Sequence, residues 1–162
     1  MGEIYDSSNY QPGKSIGALL GRVKVAMMAA LDADLAADRR LAPLELSAAQ
    51  FSVIASLAGE QRRSASDLCR GISYDAGAMT RMLDRLEAKG LIRRTRSPED
   101  RRLVHLELTE EGRATYPRMR ELALTVANRF LRGFTKAEAR QLEGLLARML
   151  ENADAPEVRA SA

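Results

Sequence analysis

Apolar residues recur at a helical spacing over most of the chain. Between Pro12 and Pro43 they fall three or four positions apart, at Ile16, Leu20, Val23, Met27, Ala30 and Leu31. One face of an α-helix has this period. Proline is unfavourable inside a helix. The pattern therefore predicts one long helix between the two prolines.

Capping signals predict three shorter helices after the long one. Ser47 with Gln50 and Ser64 with Asp67 have the spacing of a capping box, and Asp75 is a favourable N-cap. The helices that follow carry these apolar residues: Phe51, Ile54 and Leu57; Ala65, Leu68, Cys69 and Ile72; and Met79, Leu83 and Leu86. We expect the apolar side of each helix to point inward.

The period changes to two between residues 103 and 109. Apolar Val104, Leu106 and Leu108 alternate there with His105 and Glu107. Alternation of this kind is typical of a half-buried strand. Residues 91–96 are expected to form its partner, because turn-forming residues at 97–100 separate the two segments. The pattern predicts a β-hairpin in an otherwise helical chain.

Two further helices are predicted after the hairpin. Thr109 is placed to cap the first, and Pro117 is placed to kink or restart it. Thr135 and Glu138 form another capping box before a last apolar stripe. The stripe consists of Leu142, Leu145, Leu146, Met149 and Leu150.

The predicted order is α-α-α-α-β-β-α-α, a mainly α fold with a small β-hairpin wing. Two short helices followed by a basic hairpin indicate a winged helix-turn-helix. The terminal helices carry more apolar surface than so small a central lobe can cover, which predicts a homodimer. The expected segments are a flexible 1–13, dimerisation helices at 14–45 and 117–152, a winged helix-turn-helix lobe at 46–109, a connection at 110–116 and a flexible tail at 153–162.

Positive charge is concentrated in the middle of the chain. The formal net charge is +3 at pH 7, but residues 60–105 contain 11 Lys or Arg against 7 Asp or Glu. A basic region of this kind is expected for a surface that binds nucleic acid. The single cysteine excludes an internal disulfide, and residues 1–14 lack the apolar core of a signal peptide. We therefore expect a cytoplasmic protein.

Three motifs in order resemble a known family. Residues 79–92 (MTRMLDRLEAKGLI) are similar to a recognition helix that ends in Leu-Glu-x-x-Gly-Leu. Residues 100–102 match Asp-x-Arg, and residues 104–109 match a strand that ends in Leu-Thr. Together they resemble the multiple-antibiotic-resistance regulator (MarR) family, over roughly residues 14–150. The resemblance implies a homodimer, often a repressor, that binds double-stranded DNA and is released by a small aromatic or phenolic ligand.

The helix after Asp75 is the expected recognition helix. The major groove of DNA admits one α-helix, whose N-terminal residues reach base edges. Thr80 is suited to a thymine methyl group or a base edge, and Arg81 to guanine or a phosphate. The expected contact set is Asp75, Ala76, Gly77, Thr80 and Arg81. The alternative is an ordinary solvated helix face.

Arginines cluster on the hairpin, at Arg93, Arg94, Arg96, Arg101 and Arg102, with Lys89 just before it. Arginine near a narrow minor groove gains from the strong negative potential there. The resemblance implies that Arg102 inserts into the groove and that Asp100 orients it, with Arg101 on a phosphate. The predicted wing contacts are Arg96, Asp100, Arg101 and Arg102. In the alternative, Asp100 and Arg102 only stabilise the wing.

Two further groups are candidate binding residues. Arg63, Ser64 and Ser66 are predicted to contact phosphate at the start of a short helix. The resemblance implies a ligand pocket between the dimerisation helices and the DNA-binding lobe. Its candidate residues are Arg22, Met27, Met28, Leu31, Phe51 and Ile54, with Arg118 as another possible anchor for an anion. The alternative is that the apolar members belong to the core.

Neither catalysis nor metal binding is predicted. The acids Asp67, Asp75 and Glu138 fit capping roles, and no nucleophile–base pair or phosphate-binding glycine loop is found. One histidine, His105, and one cysteine, Cys69, do not make a zinc site. We therefore expect no enzyme activity, no metal and no cofactor, an exposed His105 and a core Cys69.

Three alternatives for function stay open. Cys69 would allow a redox-responsive regulator that forms an intermolecular disulfide. An activator or an architectural DNA-binding protein of the same fold would also fit. A helical interaction module with no DNA role is the third, and the arginine-rich hairpin argues against it.

Overall fold

The computed structural model describes residues 3–59, 64–72, 75–96 and 104–154. Within these ranges the elements follow the predicted order, and the mainly helical fold with one hairpin is confirmed. The helices are α1 (Ile16–Ala37), α2 (Ala48–Gly59), α3 (Ala65–Ile72), α4 (Ala76–Ala88), α5 (Glu110–Phe130) and α6 (Lys136–Asp154). The strands are β1 (Ile92–Arg96) and β2 (Val104–Leu108).

The predicted caps begin the predicted helices. The Ser47 N–H donates to Gln50 Oε1 (3.1 Å) and the Gln50 N–H donates to Ser47 Oγ (3.3 Å). The pair Ser64 and Asp67 makes the same reciprocal contacts, at 3.1 and 3.2 Å. These hydrogen bonds satisfy N–H groups that have no partner within the helix.

Helix α2 has a further cap that the sequence pattern did not indicate. Asp32 of α1 accepts a hydrogen bond from the Ala48 N–H at 2.6 Å. A carboxylate at a helix N-terminus also interacts favourably with the helix dipole. The contact therefore ties the second half of α1 to the start of α2.

One apolar core holds together the compact unit that ends at Val126. Most of its fully buried side chains come from the elements that the periodicity selected. They include Leu35, Ile54, Leu68, Met79, Leu83, Leu86, Ile92, Leu106, Leu108 and Met119. Burial of this kind contributes roughly 1.5–3 kcal/mol for each large apolar side chain.

The hairpin is antiparallel, and the two ends of it differ in burial. Ile92 pairs with Leu108 at the buried end, and Arg96 pairs with Val104 at the other end. Val104 is 40% exposed, although the alternation predicted that it points inward, because the core does not extend to that end of the strands. Glu107, predicted on the polar side, is buried.

Helix α5 is continuous through Pro117. Residues 110–116, predicted as a connection, form the first part of the same helix. Proline has no N–H to give to the carbonyl of Arg113, which costs one helical hydrogen bond. Side chains on both sides of Pro117, such as Thr115 and Met119, are buried, and their packing keeps the helix continuous.

The second compact unit begins at Ala127 and contains the end of α5 and all of α6. Gly133 has φ +90°, a left-handed conformation that lets the chain leave α5. The Thr135 N–H donates to Glu138 Oε2 at 2.7 Å, and the Glu138 N–H donates to Thr135 Oγ1 at 3.2 Å. This confirms the third predicted capping box.

The N-terminal segment, predicted to be flexible, is folded in its described part. The hydroxyl of Ser8 donates to the Asp6 carboxylate, as do the N–H groups of Ser8 (2.7 Å) and Asn9 (3.1 Å), and these hydrogen bonds lower the pKa of Asp6. The Tyr5 hydroxyl accepts the Ile16 N–H at 3.1 Å. A tyrosine from the segment therefore caps α1, which local sequence patterns do not reveal.

Candidate DNA-binding interface

Helix α4 has one buried and one exposed face. Met79, Leu83 and Leu86 are buried in the core, as predicted. The residues expected to contact DNA are all exposed: Asp75, Ala76, Gly77, Thr80 and Arg81. The Asp75 carboxylate accepts the Ala78 N–H at 2.8 Å and caps the helix. The exposed face is therefore ordered from its first turn.

Gly77 leaves room for the side chain of Arg81. A Cβ atom at position 77 would lie 3.2 Å from Asp75 Oδ1 and 3.7 Å from Arg81 Nη1. The Arg81 guanidinium thus lies over the turn that precedes its own Cα, the direction that helical side chains favour. This places five N–H donors beside the small residues at the start of α4.

The arginines of β1 differ in how much of their charge is available. Arg93 Nε donates to Glu107 Oε1 at 2.9 Å across the hairpin. Arg94 binds two carboxylates of α4: Asp84 Oδ1 at 2.7 Å, and Glu87. Burial works to lower the pKa of Arg94, but these carboxylates outweigh it and raise the pKa. Arg96 is exposed at the end of the described strand.

A basic cleft of about 610 Å³ lies between the start of α2 and α4, lined in part by Arg81, Arg85 and Lys89. Lys89 Nζ donates to the carbonyl oxygen of Leu44 and to that of Glu45, the latter at 3.2 Å. The sequence placed Lys89 in the basic cluster of the wing. The structure shows that it holds the turn before α2, a role that no local signal indicated.

An apolar cavity of about 200 Å³ lies between α1, α2 and α5. Met27, Met28, Leu31 and Phe51, predicted as pocket residues, line it together with Ser52. Two other predicted pocket residues are elsewhere: Ile54 is fully buried in the core, and Arg22 is exposed on α1. None of the described lining residues is charged.

Comparison with known proteins identifies the family. The MarR family model matches residues 46–104. The multiple antibiotic resistance protein MarR of Escherichia coli is 36% identical over 111 residues, which cover 68% of this chain and 77% of that protein. The chain belongs to the MarR family. Its members among these relatives are transcriptional regulators and not enzymes.

Solved structures agree with this assignment. BpsR of Bordetella bronchiseptica, whose DNA binding is regulated by 6-hydroxynicotinic acid, has a TM-score of 0.74 and 27% identity, covering 90% of this chain and 98% of that one. The transcriptional repressor CouR, bound to a 23-mer DNA duplex, has a TM-score of 0.72 and 30% identity, covering 85% and 94%. This MarR-family chain is therefore a DNA-binding transcriptional regulator.

Several predicted contacts of the regulator lie outside the described residues. They are Arg63, the side chain of Ser66, and Asp100, Arg101 and Arg102. Ser64 is described, and its hydroxyl donates to Asp67 Oδ2 at 2.6 Å. A phosphate would have to compete with that carboxylate for the Ser64 proton. The phosphate contacts stay predictions.

Arg118, the alternative ligand anchor, is held by two carboxylates of the regulator. Its Nη2 lies 2.7 Å from Asp38 Oδ2, and its Nη1 lies 2.7 Å from Glu121 Oε2. Hydrogen bonds from the guanidinium to Glu121 and Asp38 raise the pKa of Arg118. The hydrogen bond from Arg118 lowers the pKa of Asp38. Arg118 therefore joins α5 to the end of α1.

The two remaining candidates are only partly exposed. Cys69 packs against the core of the regulator, as predicted. His105 is half-buried, whereas the sequence predicted that it is exposed. Within the described ranges, no group of three or more His, Cys, Asp or Glu residues has a metal-binding arrangement. No described helix is both long and apolar enough to cross a membrane.

Proposed function

We propose that this regulator is a homodimeric, sequence-specific repressor that binds a pseudo-palindromic operator and is released by a small aromatic ligand. The observation that carries the proposal is the ordered, exposed start of α4. Small residues there permit close approach to DNA, and Arg81 presents a planar fork of donors suited to guanine O6 and N7. The DNA-binding lobe in this proposal comprises residues 46–109.

Wing contacts in the proposal begin at Arg96. The charges of Arg93 and Arg94 are balanced by acidic partners within the chain. Arg96 is exposed beyond them, and in the sequence it precedes the predicted contacts Arg101 and Arg102. Wing arginines would then meet phosphate or the minor groove, where the backbone charge supplies much of the affinity.

Exposed apolar side chains on the terminal helices support the homodimer. The first half of α1 exposes Ile16, Leu19, Leu20, Val23 and Val25, and α6 exposes Leu142, Leu145, Met149 and Leu150. Large apolar side chains exposed at helical spacing on either helix are unfavourable in water and are typical of an interface. We propose that residues 14–45 and 117–152 of one copy pack against the same segments of a second copy and bury these side chains.

Two-fold symmetry determines the shape of the operator. Each subunit of a dimer presents one recognition helix, so two half-sites must lie about one helical turn apart, near 10 bp. Binding of both helices then depends on their separation. A ligand that changes this separation lowers the affinity for the operator.

The apolar cavity is the proposed ligand site. Its lining of Met27, Met28 and Phe51 suits a flat apolar ring, because methionine adapts to irregular shapes and contacts aromatic faces. DNA binding by the similar protein BpsR is regulated by 6-hydroxynicotinic acid, a small aromatic acid. A ligand of that class is the proposed effector here.

An operator with altered spacing tests the proposal. Mobility shifts with the DNA upstream of the protein's own gene, in excess competitor DNA, should give a specific complex. Insertion of about 5 bp between the half-sites puts them on opposite faces of the duplex and should abolish it. Equal binding to both duplexes would contradict a rigid dimer. Repression itself is read from a reporter behind the same DNA.

The effector site needs its own control. The proposed effector class is tested with 6-hydroxynicotinic acid, benzoic acid and salicylic acid as probes in the same mobility shift. A probe that releases wild-type protein should fail to release Ala123→Phe, which fills the cavity while leaving α4 unchanged. Release of both proteins alike would place the effector elsewhere. Failure of all three probes would exclude this ligand class.

A further inference from the structure

The outer edge of β1 is bound by a carboxylate of the recognition helix. Among the described residues the sheet has two strands, β1 and β2, so some N–H groups of β1 point away from β2. The Arg94 N–H donates to Glu87 Oε1 at 3.2 Å. Glu87 therefore satisfies an N–H group on the side of β1 that faces away from β2.

The side chain of Arg94 strengthens the same junction. Its Nη1 contacts the second carboxylate oxygen of Glu87, and its Nη2 donates to Asp84 Oδ1 at 2.7 Å. Asp84 and Glu87 are three residues apart, so they lie side by side on one face of α4. The planar guanidinium can bind both carboxylates at once, because its N–H donors have a fixed arrangement. The ammonium group of lysine is a point charge on a flexible chain and fixes the geometry less well.

These contacts join the two parts of the protein that would meet DNA. Asp84 lies one turn beyond Arg81 on α4, and Arg94 lies two residues before Arg96 on β1. Two carboxylates face one guanidinium, so the cluster adds no positive charge to the wing. Its contribution to DNA binding must then be geometric.

We propose that Arg94 is a positioning residue for operator recognition, which fixes the wing relative to the recognition helix through Glu87 and Asp84. The inference rests on the proposed function. A helix in the major groove and a wing at the neighbouring minor groove contact DNA together only at one separation. If the wing is already held at this separation from the helix before binding, less conformational entropy is lost when the complex forms. Nonspecific binding to phosphates does not require such a fixed geometry.

A role as a phosphate contact makes the opposite prediction for the acidic partners. If Arg94 only supplied charge, removing Asp84 and Glu87 would reduce repulsion of the DNA backbone and tighten binding. If Arg94 positions the wing, removing the same carboxylates frees the hairpin and weakens operator binding. The sign of the effect distinguishes the two roles.

The experiment compares operator with random duplex across a salt series. The variants are Arg94→Met, Asp84→Asn with Glu87→Gln, the triple combination, and Arg96→Met as the matched control on the same strand. We expect Arg94→Met and the Asp84→Asn, Glu87→Gln double variant each to lower the operator-to-random affinity ratio roughly fivefold, as for loss of partly exposed ion pairs. The triple variant should lose no more than either. Arg96→Met should weaken both duplexes and lower the salt slope by about 0.9.

The outcomes separate the two proposals. Wild-type protein that binds operator and random duplex equally would overturn the proposed function. Specific binding by wild type, together with tighter operator binding by the double variant, would overturn the positioning role alone. Parallel behaviour of Arg94→Met and Arg96→Met would do the same. The double variant keeps Arg94 and changes two partly exposed side chains, 59% exposed for Asp84 and 38% for Glu87, so it tests the sign even if Arg94→Met fails to fold.

Discussion

The carbonyl oxygen of Leu91 occupies the position that a side chain on Gly112 would need: a Cβ there would lie 2.1 Å from it. The same oxygen accepts the Thr109 N–H at 3.1 Å. Thr109 Oγ1 donates to the Gly90 carbonyl at 2.6 Å and accepts the Gly112 N–H at 3.0 Å. The start of α5 is thus packed directly on the backbone of the turn between α4 and β1.

We predict that Gly112→Ala destabilises the fold by about 2–3 kcal/mol, because backbone atoms cannot move aside as a flexible side chain would. Urea unfolding followed by circular dichroism measures it. The matched control is Gly144→Ala in α6, where a Cβ meets nothing within 4 Å. That change should be neutral or stabilising, since alanine favours helix. Equal midpoints for both variants would contradict the close contact.

Asp38 should make stability depend on acid pH. Its carboxylate accepts hydrogen bonds from Arg118 Nε (2.8 Å) and from the N–H groups of Arg40 (3.0 Å) and Leu41 (3.2 Å). The Arg118 hydrogen bond lowers the pKa of Asp38 in the folded state. A carboxyl with a lowered pKa stabilises the fold at pH values above its unfolded-state pKa of about 3.9. This stabilisation is lost as the pH falls through the folded-state pKa.

Asp38→Asn tests this dependence. The variant should unfold at lower urea than wild type at pH 7, and the difference should shrink as the pH falls below about 4. Urea midpoints at pH 7, 5 and 3.5 measure it. Asp6 and Glu138 also have lowered pKa values, but they are present in both proteins and cancel in the difference. A gap that is the same at every pH would show that Asp38 acts by packing alone.

Arg81 and Arg102 should affect DNA binding in different ways. If Arg81 makes a bidentate contact to guanine, Arg81→Ala should cost about 1–3 kcal/mol and relax preference at one base per half-site. Arg102→Ala should cost a similar amount of binding free energy, and this loss should vary with the A·T content and minor-groove width of the site. Operator selection with each protein measures both. Identical losses on every sequence would make Arg81 a phosphate contact.

The fold should survive both of these changes. Arg81 is exposed, so its removal leaves the core intact. Thermal melts serve as the control. A large fall in the melting temperature of Arg102→Ala would favour the alternative in which Asp100 and Arg102 stabilise the wing.

A charge on the apolar face of α6 should separate the proposed dimer. Leu145 is 44% exposed in the single chain, and Leu145→Glu would bury an unpaired carboxylate in the proposed interface. Sedimentation of wild type at micromolar concentration should show twice 17.8 kDa, and the variant should sediment as a monomer. Ala147→Glu is the control, because Ala147 lies about 200° further around the helix. A wild-type monomer would contradict the symmetric operator.

Local order was predictable because its causes are close together in the chain. The capping boxes join residues that are three apart in the sequence, as in Ser47 with Gln50. Their hydrogen bonds lie within a single helical turn and need no residue from elsewhere in the chain. The inward face of α4 follows from the helical period alone. Helix α4 and the order of elements could therefore be predicted from residue patterns.

The hairpin shows where pattern rules fail. Alternation assigns faces to Val104 and Glu107 correctly only if the same core covers the whole strand. Val104 lies beyond that core, and Glu107 is buried with Arg93 Nε as a partner. Burial is set by what packs against a residue, and that depends on elements distant in sequence.

Taken alone, the sequence determined the helices, the hairpin, the capping boxes and the basic character of the DNA-binding lobe, since these depend on neighbours within a few residues. Only the tertiary structure decided which charges are available. Arg94 is neutralised by Asp84 and Glu87, and Lys89 is held by the carbonyls of Leu44 and Glu45. The sequence around an arginine or a lysine does not reveal whether its side chain faces solvent or a carboxylate. The fold alone brings that partner within hydrogen-bond distance, as it does for Arg94, and leaves other arginines such as Arg96 exposed.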